Sequence, residues 1–350
     1  MKLFNFPYVV QKEICDQFSI SDIFLLSLCS KNTKNFIIQT QKHQFKKIEH
    51  MSYRILDRFI VINVKMVAGL SEKWMNILQS GDVAKSKSCE EVRVNVLGTP
   101  VIFVRSYYRY RCVEFYPGNA KSTIEAIHNH LYDLLGHHTK FWLECDEFKC
   151  NPVLRNIQQM KLYGVGFEVT AIEECMSATT CLELFSWTEH DENEKKLNEN
   201  SKIYEVDTVY LFTGNRLPAD LLNHFNGRRA FLRGVILSNT DVIPFLNEWK
   251  AGDKFRNLEV MSIVGSFDIP AVRDSVKMKQ LNTEVEYAYT RKFEPHSAYF
   301  FPSEFNCNFY IVRKSDGRVA SVRLKHFVVM VGVWNLTEKE FLHKFQLELQ

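Results

Sequence analysis

The sequence predicts a mixed α/β protein: a small three-helix module at the N-terminus, then a repeat-like α/β domain with antiparallel hairpins at its ends. Three observations carry this expectation. Apolar residues recur at helical spacing within the first fifty positions, helix and strand patterns alternate from about residue 121, and alternating strand-type stretches at 92–117 and 309–324 flank that array.

A length of 350 residues predicts about two domains, or one domain plus a small module, and is long enough to bury a substantial core. Hydrophobic residues make up 46% and charged residues 24%, the balance of an ordinary globular protein. The formal net charge of +3 is too small to argue for nucleic acid or an anionic membrane as partner. The longest apolar runs, such as VVMVGVW at 328–334, fall well short of the roughly 20 residues a spanning helix needs, so no membrane association is expected. In MKLFNFPYVVQKEICDQF, Gln11, Lys12, Glu13 and Asp16 interrupt any apolar stretch of a secretory leader. Nine cysteines, odd in number and scattered, suit a reducing compartment, which points to the cytoplasm or nucleus.

The first helix is expected after Phe6-Pro7, because proline fits a first helical turn where its missing N–H would be unpaired anyway. Val10, Ile14 and Phe18 then recur every four residues and form one stripe. Ser19 and Ser21 supply capping oxygens, and Asp22 suits the positive end of a second helix carrying Ile23, Phe24, Leu25, Leu26, Leu28 and Cys29. A third segment from about Thr33 offers Phe36 and Ile37. So short a bundle cannot enclose this much apolar surface, so the segment docks either on the rest of the chain or on another protein.

FNFPYVVQKEICDQFSISDIFLLSLCSKNTKNFI resembles an F-box of the form common in large nematode families. Phe6-Pro7 stands for the usual Leu-Pro start, Val10 and Ile14 lie in the first helix, Ser21-Asp22 precede Ile23 to Leu26, and LSLCSK (26–31) fits the later segment. The resemblance implies binding of a Skp-type adaptor and, through it, a cullin. Phe6, Pro7, Val10, Ile14, Phe18, Leu25, Leu26 and Leu28 are then the adaptor-contact candidates.

Residues 48–90 are expected as a connecting segment with a strand near RFIVINVKM and a polar loop at QSGDVAKSKSCEE (79–91). VRVNVLGTPVIFVRSYYRYRCVEFYP (92–117), punctuated by Gly98-Thr99-Pro100, reads as an antiparallel meander. STIEAIHNHLYDLLG is a helix stopped by Gly136, and KFWLEC is a strand. NPVLRNIQQ is expected as the next helix before the strand KLYGVGFEV, and AIEECMSATT precedes CLELFSW. After a charged insertion at 189–202 come DTVYLF, PADLLNHF, AFLRGVIL, TDVIPFLNEW and LEVMSIV. Strand starts near 141, 162, 182, 208, 232 and 258 are about 20 to 27 residues apart, inside the range of leucine-rich repeats. A compact open sheet is the alternative.

GVILSNTDVIPFLNEWKAGDKFRNLEVMSI, within 206–276, resembles the second type of nematode F-box-associated domain. FYIVRKSDGRVASVRL (309–324) resembles the hairpin that follows it, with Asp316-Gly317 as a two-residue turn signal. Trp334 is expected on a last strand before the helix TEKEFLHKFQLEL, so that the hairpin and helix fill 305–350.

Chemical motifs are weak. His128, His130, His137 and His138 lie near Cys145 and Cys150, yet no pair of cysteines has zinc-finger spacing, and no metal or cofactor is expected. No cysteine has the local signature of a hydrolase nucleophile, and Asp146-Glu147 and Asp191-Glu192 read as solvated runs. GVG (164–166) lacks the third glycine of a dinucleotide loop. In RSYYRYRC a single strand would place Arg105, Tyr107, Arg109 and Arg111 on one face. This is first a solvated face, and otherwise a protein-binding or single-stranded nucleic-acid surface.

The sequence therefore points to a non-catalytic substrate receptor of an SCF-type ubiquitin ligase. Its F-box would occupy 1–47 and a target-binding domain 91–350, acting on one target protein of unstated identity. The alternatives are a protein that sequesters its target without degradation and, below that, a single-stranded nucleic-acid-binding protein.

Overall fold

The computed structural model describes residues 3–56, 59–67, 71–79, 91–105, 111–115, 120–145, 152–164, 167–178, 183–189, 195–214, 217–234, 237–289 and 303–346. The chain divides into two compact units, 1–161 with 177–182, and 162–176 with 183–350.

The first unit opens with a 3₁₀ turn at Leu3–Asn5 and helices α1 (Tyr8–Asp16), α2 (Ile20–Ser27), α3 (Lys31–Thr40) and the single turn α4 (Lys42–Phe45). The chain then runs directly into strands β1 (Ile48–Ile55), β2 (Phe59–Met66) and β3 (Ser71–Gln79). The meander β4 (Glu91–Val96), β5 (Thr99–Arg105) and β6 (Arg111–Phe115) follows, then helix α5 (Ala120–Leu135), β7 (Lys140–Cys145) and the start of β8 (Ile157–Gly164). The strand order is β7-β1-β2-β3-β6-β5-β4, with β8 beside β7. β1 pairs antiparallel with β2 and parallel with β7, and β2 pairs with β3, so Ile48–Ile55, Phe59–Met66 and Ser71–Gln79 are strands of the sheet rather than a connection. The physical reason is alternation: Met51, Tyr53, Ile55, Ile60, Ile62 and Val64 are all buried. The meander expected at 92–117 is present, with β4 and β6 each antiparallel to β5.

Helix α5 stops where the sequence says it should, at Gly136 with φ +88°, the left-handed conformation that glycine adopts without strain. NPVLRNIQQ does not form the expected helix. Its backbone is drawn onto α5 instead: Val153 N–H donates to Glu125 Oε1 and Arg155 N–H to His128 Nε2. Asn156 then turns the chain with φ +56°, its amide donating to the carbonyls of Thr139 and His137, and β8 begins at Ile157.

The second unit carries α6 (Val169–Ala178), β9 (Leu184–Glu189), a 3₁₀ turn at Lys202–Glu205, β10 (Thr208–Thr213), α7 (Leu217–His224) and β11 (Arg229–Gly234). Helix α8 (Asn239–Ala251), β12 (Val260–Val264), α9 (Ile269–Val276) and β13 (Lys279–Ala288) follow. The chain closes with β14 (Glu304–Val312), β15 (Arg318–Lys325), β16 (Val328–Thr337) and α10 (Glu338–Phe345). Its strand order is β13-β14-β15-β16-β12-β11-β10-β9. β9 to β12 are mutually parallel, with α7 and α8 between β10, β11 and β12, whereas β12 to β16 and the hairpins beyond are antiparallel. A parallel sheet needs cover on both faces, and every residue of β12 is buried accordingly. Tyr210 and Phe231 are register partners on β10 and β11, and their rings stack at 4.5 Å.

Side-chain caps set the helix ends of this unit. Ser238 and Asp241 form a capping box on α8, as do Thr337 and Glu340 on α10, and Gly252 ends α8 in the left-handed region. The turn between β14 and β15 is longer than two residues: Arg313 and Arg318 close it through backbone bonding, and Gly317 sits at φ +73°. Asp316 is held there by Arg313, whose hydrogen bonds to its carboxylate come first among the causes that lower its pKa. The Arg313 guanidinium lies 5.2 Å from the ring centroid of Trp249.

Candidate functional site

The N-terminal helices are fixed by local chemistry. Pro7 precedes α1, its carbonyl accepting from Gln11 N–H, and the Gln11 side-chain amide donates to the Phe6 carbonyl at 2.5 Å. Ser19 caps α2 by accepting from Asp22 N–H, and Ser30 caps α3 by accepting from Thr33 N–H. Asp16 gathers the bundle: the Gln41 amide donates to it at 2.9 Å and Lys12 pairs with it at 3.6 Å. The Gln41 bond is the main reason its carboxyl sits below the usual range.

The bundle has two distinct faces. Its inner face is Cys15, Ile23, Phe24, Ile37 and Phe45, all buried, with Phe36 close behind. Part of that face docks on α5 of the same unit. Phe24 meets the His130 ring edge-to-face at 5.6 Å, Ser27 Oγ lies 2.7 Å from His130 Nε2, and Lys34 pairs with Asp133 at 3.2 Å. The Ser27 hydroxyl already donates to the Phe24 carbonyl at 2.6 Å, so His130 Nε2–H is the donor of the shared bond. Burial holds His130 neutral, with its pKa lowered to about 4, and does the same for His128. Because His128 Nε2 accepts from Arg155 N–H, its Nδ1 carries the hydrogen of the neutral ring and donates to Tyr53 Oη at 3.0 Å.

The outer face is apolar and uncovered. Phe4, Phe6, Tyr8, Val9 and Val10 are 51%, 40%, 56%, 67% and 40% exposed. They are five of the nine large exposed hydrophobic residues among those described, and they fall within seven consecutive positions. The other four are scattered through the chain, so this cluster is a patch rather than the ordinary scatter of surface side chains. Phe4 and Tyr8 both set their ring edges against Phe36, at 5.7 and 6.2 Å, which anchors the patch to α3.

None of the eight adaptor candidates is buried. Phe6, Pro7 and Val10 are exposed, and Ile14, Phe18, Leu25, Leu26 and Leu28 are half-buried. The stripe facing inward on α1 is instead Gln11 and Cys15, one position along from Val10 and Ile14. Phe4, Tyr8 and Val9 join the patch without having been singled out. The signal was the unbroken run FPYVV, which has no helical period for a stripe to show. His130 was also missed as a docking residue, and no local pattern could reveal it, since its partner Ser27 is 103 residues away.

The remaining sequence candidates fare differently. Arg105 ends β5 and Arg111 begins β6, and the two are register partners in an antiparallel pair. The chain therefore reverses between them, and the single strand that would align Arg105, Tyr107, Arg109 and Arg111 does not form. Tyr107 and Arg109 lie outside the described residues, as does Cys150. Among the described residues no three histidine, cysteine or acidic side chains are grouped to hold a metal, and no helix is long and apolar enough to cross a membrane.

Comparison with curated proteins and with solved structures finds no match to the chain. A comparison with family models matches residues 3–44 to the F-box domain. The matched segment covers the capped helices α1 to α3, the inner face docked on α5 and the uncovered patch from Phe4 to Val10: residues 3–44 of this chain are an F-box domain.

Proposed function

We propose that the protein is a substrate-receptor subunit of an SCF-type cullin–RING ubiquitin ligase. The F-box suggests a substrate-adaptor role in such ligases, and the uncovered apolar patch on the F-box carries the reading further. A helical module of this size with its inner face already occupied has no structural use for a second apolar face. A partner's surface accounts for it. The partner is a Skp-type adaptor, reached through Phe6, Pro7 and Val10 with support from Ile14, Phe18, Leu25, Leu26 and Leu28. Through the adaptor the protein joins a cullin. The region after the F-box, 91–350, presents one target protein for ubiquitination and degradation. The receptor performs no chemistry, and its contribution is effective concentration of the target near the ubiquitin carrier. The parallel strands β9 to β12, with α7 and α8 between the last three, support a leucine-rich-repeat-like reading of this array. The residues of 206–276 and 309–324 support its assignment as a nematode F-box-associated domain of the second type. The scattered cysteines favour the cytoplasm or nucleus.

Co-expression with a Skp-type adaptor tests the proposal. A stoichiometric complex on gel filtration is expected, and it is lost when Phe6 and Val9 become Asp. A monodisperse protein that ignores the adaptor rejects the ligase reading. If the complex forms but target levels do not rise when the protein is removed, the protein sequesters rather than degrades.

A further inference from the structure

Asparagine followed by glycine occurs once in the chain, at Asn226-Gly227, between α7 and β11 of the second unit. Packing demands the glycine, because a Cβ on residue 227 would collide with the Val206 carbonyl and the Phe225 ring. The missing side chain also leaves the Gly227 nitrogen unshielded. Among the described residues its N–H has no acceptor, although its neighbours are committed. Asn226 N–H donates to the Tyr204 carbonyl at 2.7 Å, and Arg228 and Arg229 N–H both donate to the Asp207 carbonyl, at 3.0 and 2.9 Å. An N–H left without an acceptor between bonded neighbours is uncommon in a folded chain. The Asn226 carbonyl accepts from the Asn257 amide at 3.3 Å, yet its own side-chain amide is exposed and makes no hydrogen bond among the described residues. Both residues line a surface cleft of about 610 Å³.

The Asp316-Gly317 turn, where the chain has its one aspartate followed by glycine, is built the opposite way. The Arg313 guanidinium holds both oxygens of the Asp316 carboxylate, at 2.9 and 2.6 Å, and Arg318 N–H donates to it at 3.2 Å. Gly317 N–H is committed to the Arg313 carbonyl at 2.9 Å. There neither the side-chain carbonyl carbon nor the following nitrogen is available to the other. At Asn226-Gly227 both are.

We propose that Asn226 is a site of spontaneous deamidation. Asparagine is among the thermally labile residues, and here the fold leaves the reacting pair exposed. The Gly227 nitrogen attacks Cγ of Asn226 and gives up its proton. A C–N bond closes a five-membered imide, and the side-chain nitrogen leaves with that proton as ammonia. Water then opens the imide. Hydrolysis at Cγ restores the main chain with aspartate at 226, and hydrolysis at the main-chain carbonyl leaves the chain running through the side chain as isoaspartate. Nothing is oxidised or reduced, and water is the only co-reactant. Either product sets a new carboxylate next to Arg228. The isoaspartyl product also adds a methylene to the main chain just before β11, where residues 228 and 229 are tied to Asp207. This modification goes beyond the ligase reading and does not depend on it.

The test holds the full chain, folded, in warm and mildly alkaline buffer, then digests samples for peptide mass spectrometry. A protein isoaspartate methyltransferase with labelled methyl donor reports the isoaspartyl product. The peptide carrying Asn226 should gain the mass of an amide-to-acid exchange before any other asparagine peptide, and should accept the methyl group. The Asp316 peptide should accept it only after the protein is unfolded in urea. Asn226→Gln needs a larger ring to react and should lose both signals at position 226. It replaces one exposed, unbonded amide by another, so its thermal midpoint and its adaptor complex on gel filtration should match the parent. A gain at Asn226 only in urea, a faster gain at another asparagine of the folded chain, or an unchanged methyl signal in Asn226→Gln would each overturn the proposal.

Discussion

Helices α1 and α2 are neighbours of nearly equal length, and both are rich in apolar side chains, yet they send them to opposite places. On α2, Ile23, Phe24 and Ser27 are buried, two of them engaging His130 of α5. On α1 the buried positions are Gln11 and Cys15, while Tyr8, Val9 and Val10 face solvent. The difference teaches that hydrophobicity alone does not assign a residue to a core. What decides is whether the rest of the chain brings a surface to it. For α2 that surface is α5, whereas on α1 Tyr8 sets only its ring edge against Phe36, and Val9 and Val10 stay exposed.

The sharpest break of this comparison is Phe24→Ala, which leaves a cavity against His130 and should cost about 3–5 kcal/mol of stability in urea denaturation. The matching change on α1, Val9→Ala with Phe6→Ala, should move the urea midpoint hardly at all. It should weaken the adaptor complex by about 2 kcal/mol or more in calorimetry, as loss of interface anchors does. If instead Phe24→Ala spares stability, or the α1 pair unfolds the protein, the two faces have been assigned the wrong way round.

Acidification sharpens the same contrast. His128 and His130 on α5 have folded-state pKa values near 4, set mainly by burial, below the ordinary value of about 6.5. Between these values the unfolded chain binds more protons, so the stabilisation is complete above about pH 6.5 and is lost as pH falls toward 4. From pH 7 to pH 5 each ring should remove about 2 kcal/mol of stability. His130→Gln should flatten the urea midpoint against pH, whereas the α1 changes should leave the profile as it was. Lys34→Ala, which removes the half-exposed pair with Asp133, should cost about 0.2–1 kcal/mol and less at high salt.

Local rules made much of this fold legible. The capping serine at 19 and the stop at Gly136 act within four residues, so the sequence shows them directly; the caps at Ser30 and Ser238 act over the same short range but were not singled out. The array from β9 to β12 was legible because the middle of each strand is buried and reads as a short apolar run. Strand β1 was not, because Glu49, His50 and Arg54 break its pattern and its parallel partner β7 lies some ninety residues on. The NPVLRNIQQ helix failed because side chains of α5 take the backbone donors that a helix would use. The Arg/Tyr strand failed because alternation cannot distinguish one straight strand from two that fold back. At the site, the apolar residues of the F-box were visible, but which of them face outward depends on α5, and only the folded chain supplies that.

The bond between Ser27 and His130 spans 103 residues, and this has a consequence for synthesis on the ribosome. Chains emerge at about 5–20 residues per second, so α2 is made roughly 5–20 s before the helix that covers it. During that interval both faces of the F-box are open at once. An adaptor present at the exit tunnel would meet the nascent module before its own body does. The order of assembly, partner first or body first, is thus written into the distance between two helices.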